Sequence, residues 1–260
     1  MIRRALQRLA GRHPHAAVTA ATAIGAVTRR WAPDVEPAAI RRMLPDLSDA
    51  EMRSLQAALW TGWLRLRVLE AAMSSPTADW PYPRLAEGVA VPSLEPPVIV
   101  AGFHLGPIPA LGILLERLPG ETLVVHLSGP PRPGLTMRPV GGDRWGRAAD
   151  FRQAIDTLRA GGSVFLLVDA NELPATVEIE LFGQRTGLAR GAFALSRMTG
   201  APVVPVAPRW RGSRVEILAG DPIGPGEEGE MAAVAARWLE EFIRANPQEI
   251  GRLLPHGIWN

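Results

Sequence analysis

The chain has 260 residues, 47% of them hydrophobic and 21% charged, which excludes a disordered or fibrous class and is long enough to bury a full core. Its 28 basic residues are all arginine and the net charge is only +2, so the pI of about 10.2 reflects the absence of Lys and Cys and the single Tyr82; no nucleic-acid partner is expected. Zero cysteine excludes disulfides, zinc–thiolate sites and a thiol nucleophile.

Taken in chain order, helices are expected over Arg3–Leu9, Ala16–Trp31 and Pro37–Met43. The run from His15 to Val27 is flanked by Arg3, Arg4, Arg8, Arg12, Arg29 and Arg30, yet it is short and mostly Ala and Thr. Such a run does not span a bilayer. It reads as a packed helix, with an interfacial helix steered by arginines and a cleaved signal as alternatives. The expected location is the cytoplasm, with peripheral contact at the inner face of the membrane as the alternative that an interfacial N-terminal helix would bring. Ser48 followed by Glu51 is a capping box that opens a longer helix to about Ala72, with Leu55, Leu59, Trp63, Leu66 and Leu69 on one stripe.

After the turn-rich stretch 74–97 the pattern alternates between strand and helix. Strand Val98–Gly102 precedes helix Pro107–Leu118, then strand Thr122–Leu127 and a Pro/Gly loop through Gly142. Helix Trp145–Ala160, strand Ser163–Asp169, strand Val177–Phe182, a Gly/Arg loop and helix Arg190–Thr199 follow. Strands Val203–Ala207 and Val215–Ala219 and helix Gly229–Ala245 complete the series. This order predicts an α/β fold with a mostly parallel or mixed central sheet flanked by helices. One domain over 1–260 is expected, in which a helical region at 1–75 packs on an α/β core at 95–260.

Ligands of open α/β sheets collect beyond the carboxyl ends of the strands. That rule selects two segments here. In VIVAGFHLGPIPALG a strand ends at Gly102 and His104 sits in the turn that follows, with Pro107 and Pro109 tolerable in the first turn of the next helix. In SVFLLVDANE, Asp169, Asn171 and Glu172 follow an apolar strand. His104 is the candidate general base, because an imidazole titrates near neutral pH. A helix cap is the plainer role for the same residue, as it is for Asp169. His13, His15, His126 and His256 suggest no metal site, and no cofactor is expected.

A strand ending in G-x-H-x-G before a helix resembles the His-x4-Asp/Glu block of the bacterial lipid A biosynthesis (lauroyl/myristoyl) acyltransferases, within the lysophospholipid acyltransferase superfamily. The resemblance continues through LRAGGSVFLLVDANE at 158–172, VEIELFGQRTGLARGAFALSRMTGAPVVPVAPRWRG at 177–212 and FIRANPQEIGRLLPHGIWN at 242–260. The stretch VEPAAIRRMLPDLSDAEMRSL at 35–55 is similar to its N-terminal helical region. It implies an acyltransferase-like fold, with His104 as the base on an acceptor hydroxyl. One departure is decisive: the position five after His104, an acid in the family, is Pro109. Asp169 and Glu172, at a neighbouring strand end, are the candidates to replace it.

The segment FGQRTGLARG resembles the family's acceptor-side loop. Arg185, Arg190 near a helix N-terminus, and Arg209 after a strand are the candidate anion-binding residues, with Gly106 and Asn171 at the strand ends. Backbone N–H groups near Gly106 would serve as an oxyanion site. The resemblance implies acyl transfer from a carrier or coenzyme A thioester to a hydroxyl or amine of an anionic small molecule; Pro109 and the lack of a convincing membrane anchor favour a biosynthetic acceptor other than lipid A. An acyl or peptidyl carrier protein is the implied partner. Two alternatives stay open: a repurposed scaffold doing non-acyl chemistry, such as base-assisted ring closure with loss of phosphate or sulfate in a metabolite pathway, and a non-catalytic binding partner.

Overall fold

The computed structural model describes residues 8–28, 37–73, 80–126, 136–139, 144–169 and 175–252. Helix α1 (Pro14–Thr28), α2 (Pro37–Met43) and α3 (Asp49–Met73) form the helical N-terminal part, followed by the short α4 (Tyr82–Leu85). The capping box forms as read: the backbone N–H of Ser48 donates to Glu51 Oε2 at 2.8 Å and the N–H of Glu51 to Ser48 Oγ at 3.3 Å. Leu55, Leu59, Leu66 and Leu69 are buried along one face of α3, joined by Met52 and Ala72. Trp63 is not part of that face. It lies at the edge of the stripe, 45% exposed, and stacks on Trp60 with ring centroids 5.0 Å apart.

The sheet comprises β1 (Val98–Gly102), β2 (Thr122–His126), β3 (Thr136–Pro139), β4 (Ser163–Leu167), β7 (Val203–Arg211) and β8 (Arg214–Ala219) in the order β3-β2-β4-β1-β7-β8. All pairs are parallel except β7 with β8. Every residue of β1 is buried, as a central strand covered on both faces requires. Helices α5 (Leu111–Arg117), α6 (Arg144–Arg159), α7 (Gly191–Thr199) and α8 (Glu228–Ala245) supply the flanking layers. A separate antiparallel hairpin joins β5 (Thr176–Leu181) to β6 (Gln184–Ala189).

Four local expectations are revised. Residues 184–189, read as a Gly/Arg loop, are a strand, because Phe182 and Gly183 turn the chain with positive φ and return it against β5. Residues 136–139 add an edge strand inside the Pro/Gly stretch. The helix expected from Pro107 starts as a 3-10 turn at Ile108–Ala110 and becomes α-helical at Leu111, since the ring of Pro109 disfavours the α conformation at Ile108 before it. Strand β7 runs four residues beyond Ala207, carried by its antiparallel ladder with β8.

Two hydrophobic clusters tie the N-terminal helices to the sheet. Ile40, Met43, Met52 and Leu55 share one with Ile99, and Val18, Leu69, Tyr82 and Leu85 share the other with Val98 and Val100. Leu69 is fully buried between the two regions. Leu69→Ala should destabilise the protein by about 2–5 kcal/mol, the usual range for a large-to-small change in a packed core. Urea unfolding of both proteins measures it; a change under about 0.5 kcal/mol would mean that α3 is not anchored through this residue.

Candidate active site

Strands β1 and β4 pair in parallel with Gly102 opposite Leu167. Each chain then runs two residues past its strand end, to His104 on one side and Asp169 on the other. The ladder itself continues one step, with the N–H of Val168 donating to Gly102 O at 3.0 Å. Register therefore delivers the two side chains to the same height above adjacent strands. The Asp169 carboxyl is fully buried and uses both oxygens on His104: Oδ2 accepts the backbone N–H at 2.6 Å and Oδ1 lies 2.9 Å from ring Nδ1. A carboxylate has only acceptors to offer, so Nδ1 carries the proton and Nε2 carries the basic lone pair. The imidazole keeps 12% exposure, enough to reach solvent or a bound hydroxyl.

Pro109 lies in the 3-10 turn that leads into α5, five residues from the base, where it offers no acid. Glu116, the next acid along, is on the exposed side of α5. Of the two candidate replacements, Asp169 meets the imidazole, while Glu172 and Asn171 lie outside the described residues.

The turn after β1 does not provide an oxyanion site. The N–H of Leu105 donates to Phe103 O at 2.8 Å, that of Gly106 to Glu249 O at 2.8 Å, and that of Ile108 to Gly106 O at 2.9 Å. With His104 N–H on Asp169 and no N–H on Pro107, every backbone donor from 104 to 108 is committed. Gly106 serves close packing instead. Its φ is +44°, and a β-carbon there would lie 2.4 Å from Glu249 Oε2 and 2.7 Å from Pro208 O.

The arginines are also not gathered as expected. Arg185 is on the exposed face of the hairpin, 3.9 Å from Glu178. Arg190 pairs with Glu228, which also accepts from Arg197 at 3.1 Å. That contact holds the Arg190 guanidinium above its ordinary pKa and the Glu228 carboxyl below its own. Arg209 donates to Glu216 Oε2 at 2.7 Å and to Asn246 Oδ1 at 2.9 Å. Glu228 opens α8 and Asn246 closes it, and 18 residues at 1.5 Å rise put the two ends about 27 Å apart. Arg190 and Arg209 therefore do not hold one small anion between them.

Glu249, which sequence reasoning passed over, supports the His104 turn from below. It follows α8 in the 3-10 segment Pro247–Arg252 and is 1% exposed. Its Oε1 accepts the backbone N–H of Trp210 at 2.9 Å, and burial raises its pKa to about 7. Only the approach of Gly106 hints at it, and that approach is not visible in one dimension.

Two outcomes follow from these contacts. Asp169→Ala leaves the buried His104 N–H without an acceptor and should lower unfolding free energy by about 1–3 kcal/mol, whereas Asp169→Asn keeps one acceptor and should cost less. Equal losses in urea unfolding would deny the backbone bond its role. For Glu249, the unfolded chain ionises the group near 4.5 while the folded chain keeps the proton to about 7. Folding thus loses stability as pH rises through that interval and loses no more above it. The stability of Glu249→Gln relative to the parent protein should rise by up to roughly 3 kcal/mol between pH 4.5 and 7 and then level off. A difference that stays constant across this range contradicts the assignment.

The description of the bacterial lipid A biosynthesis acyltransferase family matches residues 135–253, a stretch that includes Asp169 and begins after His104 and Pro109. No curated protein matches the chain. Among solved structures, the 1-acyl-sn-glycerophosphate (LPA) acyltransferase PlsC from Thermotoga maritima is 14% identical, aligning over 89% of this chain and 95% of its own, with a TM-score of 0.34. Residues 135–253 of the chain thus resemble the bacterial lipid A biosynthesis acyltransferases.

Proposed function

We propose that the chain is an acyltransferase-like enzyme that moves an acyl group from a carrier or coenzyme A thioester to a hydroxyl or amine of an anionic small molecule. The observation that carries this reading is the His104–Asp169 pair, 2.9 Å apart with the acid wholly buried. His104 Nε2 takes the proton of the acceptor as its oxygen or nitrogen attacks the thioester carbonyl, and the thiolate leaves with the carrier. Asp169 holds the imidazole in the useful tautomer and stabilises the imidazolium that forms. It does from a neighbouring strand what an acid at position 109 would do from the same turn. Stabilisation of the tetrahedral oxyanion falls to donors outside residues 104–108.

The family match over 135–253 supports the same reading. The alternative chemistry, base-assisted displacement of phosphate or sulfate, would use the same pair but expects clustered arginines, and Arg190 and Arg209 are tied to opposite ends of α8. Peripheral membrane contact remains part of the proposal: Ile24 and Val27 are 53% and 72% exposed on α1. Among the described residues, no helix is long and apolar enough to cross a membrane.

The test is thioester consumption with a panel of acyl donors and hydroxyl or amine acceptors. His104→Ala should abolish turnover, and Asp169→Asn should lower kcat by a factor of about 100 or more, the scale of a general base that loses its orientation. Pro109→Glu should give no gain, since the orienting acid is already supplied. Full activity in His104→Ala would remove the pair from the mechanism, and strong new activity in Pro109→Glu would show that the acid was missing after all.

A further inference from the structure

Helices α1 and α3 meet where small residues let their backbones approach: a β-carbon on Gly25 would lie 2.7 Å from Thr61 Oγ1 and 3.2 Å from Thr61 Cα. Beside this crossing, between the two helices, the end of β7 and the 3-10 segment after α8, is a cavity of about 320 Å3. Along α3 it is lined by small residues, Ala57, Ala58, Thr61 and Gly62. The opposite end is polar, with Arg65, Gln248 and Glu249 beside the indole of Trp210.

The charges at that end are unevenly met. Arg65 is half-buried, its Nε–H donates to Thr22 Oγ1 at 2.9 Å, and its guanidinium carbon lies 5.5 Å above the Trp210 ring. Burial pulls its pKa down and Glu249 pulls it up, so loss of water outweighs the acid's help. Arginine keeps its proton regardless. Glu249 is the group that can change state. The charges acting on it are Arg65 from α3 and Arg209 from β7, and Arg209 is already committed to Glu216 and Asn246.

We propose that this cavity binds a small amphipathic carboxylate, its head on Arg65 and its apolar body along Ala57, Ala58 and Gly62, at a site separate from His104. A carboxylate gives Arg65 the bidentate partner that its planar fork suits. Glu249 in its protonated form then lies beside the anion without repulsion. A cationic ligand would meet a fixed guanidinium charge. A phosphate dianion would bring a second charge toward an acid with one arginine to meet it. Ala57, Ala58 and Gly62 have no side chain beyond Cβ, and Thr61 among them is small, so an unbranched or planar body fits along them. Glu249 links the site to the catalytic turn, resting on Gly106 two residues from His104.

The test is calorimetric binding of hexanoate to the full chain at pH 6 and pH 8, with hexylamine as the cationic counterpart; it needs no turnover and stands apart from the acyl-transfer reading. Hexanoate should bind at pH 6 more tightly than hexylamine, and about tenfold more weakly at pH 8, because Glu249 ionises near 7. Arg65→Gln should weaken it by about tenfold or more, the scale of a lost charge-assisted contact. Gly62→Leu should block it with the fold retained, since the nearest heavy atom to a β-carbon there is 3.9 Å away. Glu249→Gln should bind with little pH dependence; if that variant does not fold, Gly62→Leu and Arg65→Gln decide the matter. His104→Ala should bind as the parent does. The proposal is overturned by no hexanoate binding at millimolar concentration, by unchanged binding in Gly62→Leu, by equal affinity at the two pH values, or by loss of binding in His104→Ala, which would put the carboxylate in the active site.

Discussion

Asp169 spends both carboxyl oxygens on one residue, taking the backbone N–H of His104 with Oδ2 and facing its ring Nδ1 with Oδ1. A fully buried carboxylate is tolerated only where hydrogen bonds replace the water it has lost. The turn after β1 therefore closes over it, and the turn in turn orients the base. Parallel pairing of β1 with β4 makes this possible, since equal overhangs past Gly102 and Leu167 bring the two residues level. A one-residue slip of that register would swing one side chain to the other face of the sheet and separate the pair. The geometry of the His104–Asp169 pair thus depends on the packing of the central strands more than on the helix that follows His104.

Much of the fold was legible because buried parallel strands read as short apolar runs and amphipathic helices repeat at their own period. Val98–Gly102 and the helix opened by Ser48 are both found where their residues place them. The first strand of the hairpin was read, but the second, at 184–189, escaped because Gly183, Gly187 and Arg185 mimic a loop, while the pairing that makes it a strand comes from across the turn. Within the site, His104 and Asp169 were nameable as strand-end residues, and the absence of an acid at Pro109 pointed to a neighbouring strand for its replacement. Their contact was not nameable, because strand order is a property of the fold. The arginines misled for a related reason. Sequence proximity suggested a cluster, whereas Glu228 and Glu216 hold Arg190 and Arg209 at opposite ends of α8.

Proline at position 109 is compatible with this arrangement. A side chain that orients the base from the same turn is redundant once Asp169 occupies Nδ1. Proline also suits a 3-10 start, where it lacks only an N–H that the turn does not need. The backbone of that turn is held from both sides, by Asp169 at His104 and by Glu249 at Gly106. Fixing the loop in this way commits the N–H groups that an oxyanion site in this turn would need. In the proposed reaction, donors that stabilise the oxyanion would have to come from outside this turn.

The claim on which the rest turns is that Asp169 holds the His104 ring with its proton on Nδ1. Nitrogen-15 NMR of the histidine-labelled protein reports this tautomer directly, with His104→Ala assigning the resonance. The expected result is a protonated Nδ1 and an unprotonated Nε2 in the neutral ring, with that preference lost in Asp169→Asn. A neutral His104 with its proton on Nε2, or a tautomer unchanged by Asp169→Asn, would contradict it.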